Sequence, residues 1–329
     1  MAVPTVLMFS GQGSQYYGMG SELYEHEPVF RQTMGRLDAV AAARLGSSVV
    51  ELLYHSGRKK SEPFDDLARS SAAIFMVEYA LACTLAASGV APRQVLGVSL
   101  GMFAAASVAG ALAPEAALAA VLDQAGIIER SCAPGAMLGV LASPALYEQH
   151  PKLFRHSELA GISGPGHSVL ACPASEVRCI VDFLRTNKVA FQQMPVGYAF
   201  HSRWIDPARE GCMALYAALP WQAPRLPLVC CAAHGVLDQL SPDRLWAALR
   251  LPIQLASTIG SLEAGGPRRY LDAGPASTLA TMLGYVLGPT STSGLFKILS
   301  MFAGEHKSLE RVRETFLNET TTLPQRMKY

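Results

Sequence analysis

The chain has 329 residues, of which 50% are hydrophobic and 16% charged, with a formal net charge of +1. That length and apolar content suffice for one large domain and a smaller one, and so even a charge balance leaves no electrostatic footprint for nucleic acid. No apolar run reaches the length of a transmembrane helix, so no membrane span is expected.

The N-terminus passes directly into Thr5-Val6-Leu7-Met8-Phe9, with no basic segment ahead of a cleavable apolar one, so no signal peptide is expected. The seven cysteines are odd in number and lack Cys-x-x-Cys spacing. With apolar surroundings at Cys83, Cys179 and Cys230, they read as reduced core thiols of a cytoplasmic protein. Residues 5–9 predict a strand that delivers Ser10-Gly11-Gln12-Gly13-Ser14-Gln15, a turn able to offer backbone amides. No Gly-Lys-Ser/Thr follows and the dinucleotide fingerprint is incomplete, which excludes the common nucleotide loops. Arg58-Lys59-Lys60, followed by Glu62, Asp65 and Asp66, reads as a solvated loop. Ala73, Val77, Ala80, Leu81 and Thr84 recur at helical spacing and predict a helix over 69–88.

Val95-Leu96-Gly97-Val98-Ser99-Leu100-Gly101 then runs into an alanine-rich helix over 102–109. Strand, Gly-x-Ser-x-Gly and helix together form the pattern of a nucleophile elbow. Ser99 would stand at the helix N-terminus, where free N–H groups and the helix dipole stabilise a developing oxyanion.

Pro114 opens the next helix, on which Ala117, Val121, Gln124 and Ile128 share one stripe. Gln124 is thus an uncharged polar side chain on an apolar face; from the residues alone the default reading is a buried amide bonded to backbone. After Ala133-Pro134-Gly135 the pattern becomes strand 136–142, helix 144–150, strands 158–162 and 167–172, helix 174–187 and strand 189–196. That β-α-β-β-α-β order describes a ferredoxin-like insert. A helix from Pro207 through Leu219, strand 228–232, helices 242–250 and 254–264 and strand 269–272 complete the main body. The tail, 303–329, is polar, with its last ten residues expected to be loose.

A serine nucleophile needs a base. Of eight histidines, His201 lies where the insert returns to the main domain, the position of a cleft residue; on the residues alone, a structural histidine competes with that role. His167, in the Gly-Pro-Gly hairpin, reads as a surface turn residue. No metal-binding set such as His-Glu-x-x-His is present in the sequence.

These motifs together resemble the malonyl-CoA:acyl-carrier-protein acyltransferase family, over nearly the whole chain. They are Phe9-Ser10-Gly11-Gln12-Gly13-Ser14-Gln15, the Gly97–Gly101 elbow, Ala199-Phe200-His201-Ser202, Leu251-Pro252-Ile253 and Asp272-Ala273-Gly274-Pro275. The resemblance implies an α/β fold: an α/β-hydrolase-like large domain with a parallel sheet (1–134 and 202–302), interrupted by a ferredoxin-like small domain (135–201), with 303–329 as a C-terminal helix and tail. It further implies Ser99 as the acyl-accepting serine, His201 as general base and the N–H groups of Gln12 and Leu100 as the oxyanion hole. The backbone carbonyl of Ala248 is assigned to orient the histidine, with Phe200 lining the substrate site.

The departures carry as much. Where the family elbow reads Gly-His-Ser-x-Gly-Glu, Val98 and Met102 replace the histidine and the glutamate, and Ser163 stands for an asparagine. The arginine of malonyl-using members, twenty-five residues beyond the serine, falls on Gln124, the polar residue already found on the buried stripe. Glutamine cannot neutralise a carboxylate, and Val98 and Met102 are expected to make the pocket less polar. The pattern is closest to the free-standing, proofreading acyl hydrolases of polyketide synthases that lack built-in acyltransferases. The resulting expectation is hydrolysis of uncharged acyl groups from acyl carrier proteins. An acyltransferase loading a non-carboxylated or malonyl unit is the alternative, and a non-enzymatic docking subunit a third. No cofactor or metal is expected, the protein is expected to be a monomer, and Arg203 or Arg209 would meet the acidic carrier.

Overall fold

The computed structural model describes residues 3–232, 235–237, 239–302 and 304–318. Two sheets organise them. The larger has strand order β11-β10-β1-β2-β7-β8, formed by β1 (Thr5–Phe9), β2 (Gln94–Gly97), β7 (Leu228–Cys230), β8 (Gly235–Leu237), β10 (Arg269–Asp272) and β11 (Gly294–Lys297). Every neighbouring pair is parallel except β7 with β8. β1 is buried along its whole length, as a central strand covered on both faces must be.

The smaller sheet, β6-β3-β5-β4-β9, contains β3 (Gly135–Val140), β4 (Glu158–Gly164), β5 (His167–Pro173), β6 (Phe191–Gln193) and β9 (Ile253–Gln254). Its first four strands are antiparallel neighbours in the ferredoxin-like order and enclose their own core of Leu138, Val140, Leu170, Ile180 and Leu184. The chain enters and leaves this unit side by side, Gly135 N–H donating to Gly197 O at 2.9 Å. β9 lies outside 135–201 yet pairs in parallel with β4, so the large domain contributes one edge strand to the small sheet.

Local differences from the sequence reading have local causes. The expected 144–150 helix forms over Ala145–Gln149, and Pro151 opens a further short helix, Pro151–His156, that was not expected. Strand 189–196 shrinks to Phe191–Gln193, ending short of Pro195. Pro207 lies inside a 3-10 turn, Arg203–Ala208, ahead of the Arg209–Ala217 helix. Pro114 does open its helix, Pro114–Ser131, and Pro242–Arg250 matches its expected span. The tail forms a helix over Glu305–Asn318; the end expected to be loose lies outside the described residues.

Leu67–Ala87 is a 21-residue helix of mean hydropathy 1.5, long and apolar enough to cross a membrane. This corrects the expectation drawn from uninterrupted apolar runs, which Arg69 and Glu78 break. In the fold it is a core helix, capped by the Asp66 carboxylate on Arg69 N–H and buried on most sides.

Candidate active site

β1 and β2 are adjacent and parallel, with Phe9 opposite Gly97, so the turns that follow them leave the same edge of the sheet side by side. Val98 N–H donates to Phe9 O at 3.0 Å and draws the Ser10–Gln15 turn against the elbow. A Cβ on Gly101 would lie 2.3 Å from Phe9 O, and one on Gly97 2.7 Å from Met102 Cα, so neither position admits a side chain without moving backbone. The sharp turn holds Ser99 at φ 55°, a strained value for a non-glycine residue and the one a nucleophile elbow imposes.

His201 is also held at positive φ, 59°. Its Nε2 lies 2.9 Å from Ser99 Oγ and its Nδ1 2.9 Å from Leu251 O. A carbonyl can only accept, so Nδ1 carries the proton and Nε2 presents a lone pair to the serine hydroxyl. The ring is only 2% exposed. Burial pushes its pKa down from 6.5 to about 4; the Leu251 carbonyl opposes this shift and the charge of Arg250 adds to it. At neutral pH the imidazole is therefore neutral and free to take a proton.

The assignment of Ala248 is corrected: the histidine is oriented by Leu251, one turn further on. The Pro242–Arg250 helix ends because Pro252 has no N–H to continue it, and Leu251 ahead of it turns extended, at φ −83° and ψ 154°. Its carbonyl then points out of the helix direction and meets Nδ1. Leu249 O accepts His201 N–H at 3.2 Å, fixing the same residue by its backbone.

Ser99, Gln12 and Leu100 line one cavity of about 10 Å³, room for roughly one water molecule. The backbone N–H groups of Gln12 and Leu100 have no acceptor among the described residues. The Gln12 side chain is tied back by donating from Nε2 to Ser71 Oγ at 2.6 Å. Gln124, Ala125, Ile128 and Phe200 form another part of its wall. Gln124 is 6% exposed, and its amide is bonded to a side chain, the Tyr216 hydroxyl, rather than to backbone. Among the described residues, no Lys or Arg lines the cavity.

The acyl transferase domain family matches residues 6–294. The chain belongs to this acyltransferase family. It is 40% identical over 312 residues to the polyketide biosynthesis acyltransferase homolog PksD of Bacillus subtilis, covering 95% of this chain and 96% of that protein. Identity to the homolog BaeD of Bacillus velezensis is 39% over 318 residues, covering 97% and 98%. Among solved structures, the acyl transferase domain of SpnD in complex with 2-(pent-4-yn-1-yl)malonyl superposes with a TM-score of 0.86 at 26% identity, over 96% of this chain and 76% of that one.

Three expected site residues of this acyltransferase lie elsewhere. Val98 follows Leu96 by two along the strand direction and packs with it, Val6 and Met8 into the core. Met102 is fully buried, its sulfur beside Gly97. Neither lines the cavity, so neither sets its polarity directly. Ser163, half-buried near the end of β4, does not line it either. Of the two basic residues expected to meet a partner, Arg203 is paired with Glu158 at 2.8 Å and lies over Trp204, whereas exposed Arg209 makes no ion pair among the described residues.

His167 is half-buried rather than a surface turn residue. No disulfide joins any of the seven cysteines; Cys230 is buried and Cys83 and Cys179 are half-buried. Among the described residues, one group of metal-capable side chains converges, Glu27, His306 and Glu310; Arg313 donates to both carboxylates and supplies their counter-charge.

Sequence reasoning also missed Glu78. Fully buried on the Leu67–Ala87 helix, its Oε1 accepts from Ser10 N–H at 2.6 Å and Ser10 Oγ–H at 2.9 Å, directly under the turn that carries Gln12. Burial pushes its pKa well above the ordinary carboxylate range. Its signal in the sequence was a lone acid in the middle of an apolar helical stretch.

Proposed function

We propose that this acyltransferase-fold protein is an acyl-carrier-protein thioester hydrolase, removing uncharged acyl groups from the carrier proteins of a polyketide synthase. The observation that carries the reading is the lining of the Ser99 cavity: it includes the neutral Gln124 amide and, among the described residues, no cation. A malonyl carboxylate brought there would be buried without a partner, at a cost of about 3–5 kcal/mol. One neutral hydrogen bond returns only about 1 kcal/mol. Acetyl and longer uncharged chains escape that penalty. The polyketide context, and with it a carrier-protein partner, is supported by the relatives, the polyketide biosynthesis acyltransferase homologs PksD and BaeD.

In this mechanism Ser99 Oγ attacks the thioester carbonyl while His201 Nε2 takes the hydroxyl proton. The amides of Gln12 and Leu100 hold the tetrahedral oxyanion. The carrier's phosphopantetheine thiolate leaves with the proton from His201, giving an acyl-Ser99 ester. His201 then deprotonates water, which attacks the ester; the free acid departs and Ser99 regains its proton. No metal or cofactor takes part in these steps.

Membership of the acyltransferase family favours a second reading, transfer of the same acyl group, or a malonyl unit, to another carrier thiol. It uses the same residues and differs only in the acceptor. Acetyl- and malonyl-loaded carrier protein, each incubated with and without a second unloaded carrier, separates the two. Release of free acetate with the malonyl carrier left intact is expected. Rapid malonyl transfer would overturn the hydrolase reading.

A further inference from the structure

Tyr216 is fully buried on the Arg209–Ala217 helix, which packs against Pro114–Ser131 closely enough that a Cβ on Gly211 would lie 2.9 Å from Ile127. Its backbone carbonyl accepts from Trp221 Nε1–H at 2.9 Å, its ring packs beside Phe103, and its hydroxyl, with the Cys212 thiol on one side, donates to Gln124 Oε1. With Oε1 engaged, Nε2 is the remaining polar atom of a side chain that lines the cavity, and it has no acceptor among the described residues. A bound group that supplies an acceptor gains a hydrogen bond from that free donor.

Two further facts define that acceptor. Ser99 and Gln124 line the same cavity, so the acceptor belongs to the acyl chain carried by Ser99, beyond the carbonyl oxygen that the Gln12 and Leu100 amides take. Among the described residues, no cation lines the cavity, so the oxygen must be neutral.

We propose that Tyr216 is a positioning residue for specificity. It pins the Gln124 amide with its N–H groups toward the acyl chain, and the site thereby favours neutral acyl groups bearing a keto oxygen on carbon 3 over saturated chains of equal length. The inference rests on the reading of Ser99 as the acylated residue and narrows its substrate class. The test is competition between acetoacetyl- and butyryl-pantetheine in one reaction, which gives the ratio of their kcat/KM values. Gln124→Met, which has no donor, sets the intrinsic ratio of the two thioesters.

The wild-type ratio is expected to exceed that of Gln124→Met by about tenfold, equivalent to roughly 1.4 kcal/mol. Tyr216→Phe should bring it down to the Gln124→Met value, with Tyr216→Met as a second variant read the same way if the first fails to fold. A wild-type ratio retained in the Tyr216 variant, or a wild type that favours butyryl relative to Gln124→Met, overturns the proposal. Ser99→Ala keeps the two failures apart. If it consumes both thioesters at the wild-type rate, the reading of Ser99 falls and the inference with it; if it consumes neither while Tyr216→Phe leaves the ratio unchanged, only the inference falls.

Discussion

Ser99 and His201 are both held at positive φ and take their positions from backbone contacts, Phe9 O against the elbow and Leu249 and Leu251 carbonyls against the histidine. The cavity wall is built differently: Gln124 and Phe200 reach the cavity from ordinary positions, and Gln124 is placed by another side chain. A pair fixed by backbone resists drift, because almost any substitution around it strains the turn. A wall fixed by side chains can be rewritten without disturbing the pair. The contrast separates whether the protein reacts from what it reacts with, and each half fails in its own way.

Breaking the reacting half gives the largest effect. Ser99→Ala should lower hydrolysis of acetyl-loaded carrier protein by at least about 10⁴-fold, because the nucleophile is lost while the free amides remain. A variant retaining more than a tenth of the wild-type rate would remove Ser99 from the mechanism and revive the docking-subunit reading. Rewriting the wall comes next. Gln124→Arg restores a cation facing the acyl group and should raise the malonyl-to-acetyl ratio of kcat/KM by about 10²-fold. An unchanged ratio would show that the amide serves packing alone.

The pH profile sharpens the contrast further. Burial lowers the His201 pKa, so the neutral base persists as pH falls and is lost only near pH 4. With pantetheine thioesters, kcat/KM should stay level from pH 7 to 5.5, where a histidine with an ordinary pKa of 6.5 would already have lost about tenfold. An acid limb centred at 6.5 would mean that the ring is solvated in the working enzyme.

The same division decides what could be read in advance. The elbow was legible because its glycines, strand and helix are contiguous, and the small domain because its element order lies within one stretch of chain. β9 was not, since two residues have no periodicity and their partner lies some 90 positions earlier. Ala248 was wrong for a related reason: a carbonyl acceptor carries no side-chain signature, and only the end of the helix decides which one turns outward. Val98 and Met102 were taken for pocket residues because they replace the histidine and glutamate of the family elbow, but strand alternation and the turn of the elbow helix send both into the core. Gln124 was found as a polar residue on an apolar stripe; Tyr216, which places it, sits on a helix far along the chain and needed the packing to be seen.

The smallest effect tests whether backbone alone holds the base. Pro252 ends the helix before it, and the extended Leu251 that results presents the carbonyl to Nδ1. Alanine at 252 supplies the missing N–H to the Ala248 carbonyl and lifts the restriction on Leu251, so the helix can wind on and draw the Leu251 carbonyl away from the histidine. Losing one neutral, orienting hydrogen bond of about 1 kcal/mol should lower kcat some five- to tenfold while KM for acetyl-loaded carrier stays the same, since no wall residue moves. A rise in KM with kcat unchanged would place Pro252 with the wall instead, and the two halves of the cavity would no longer be separable.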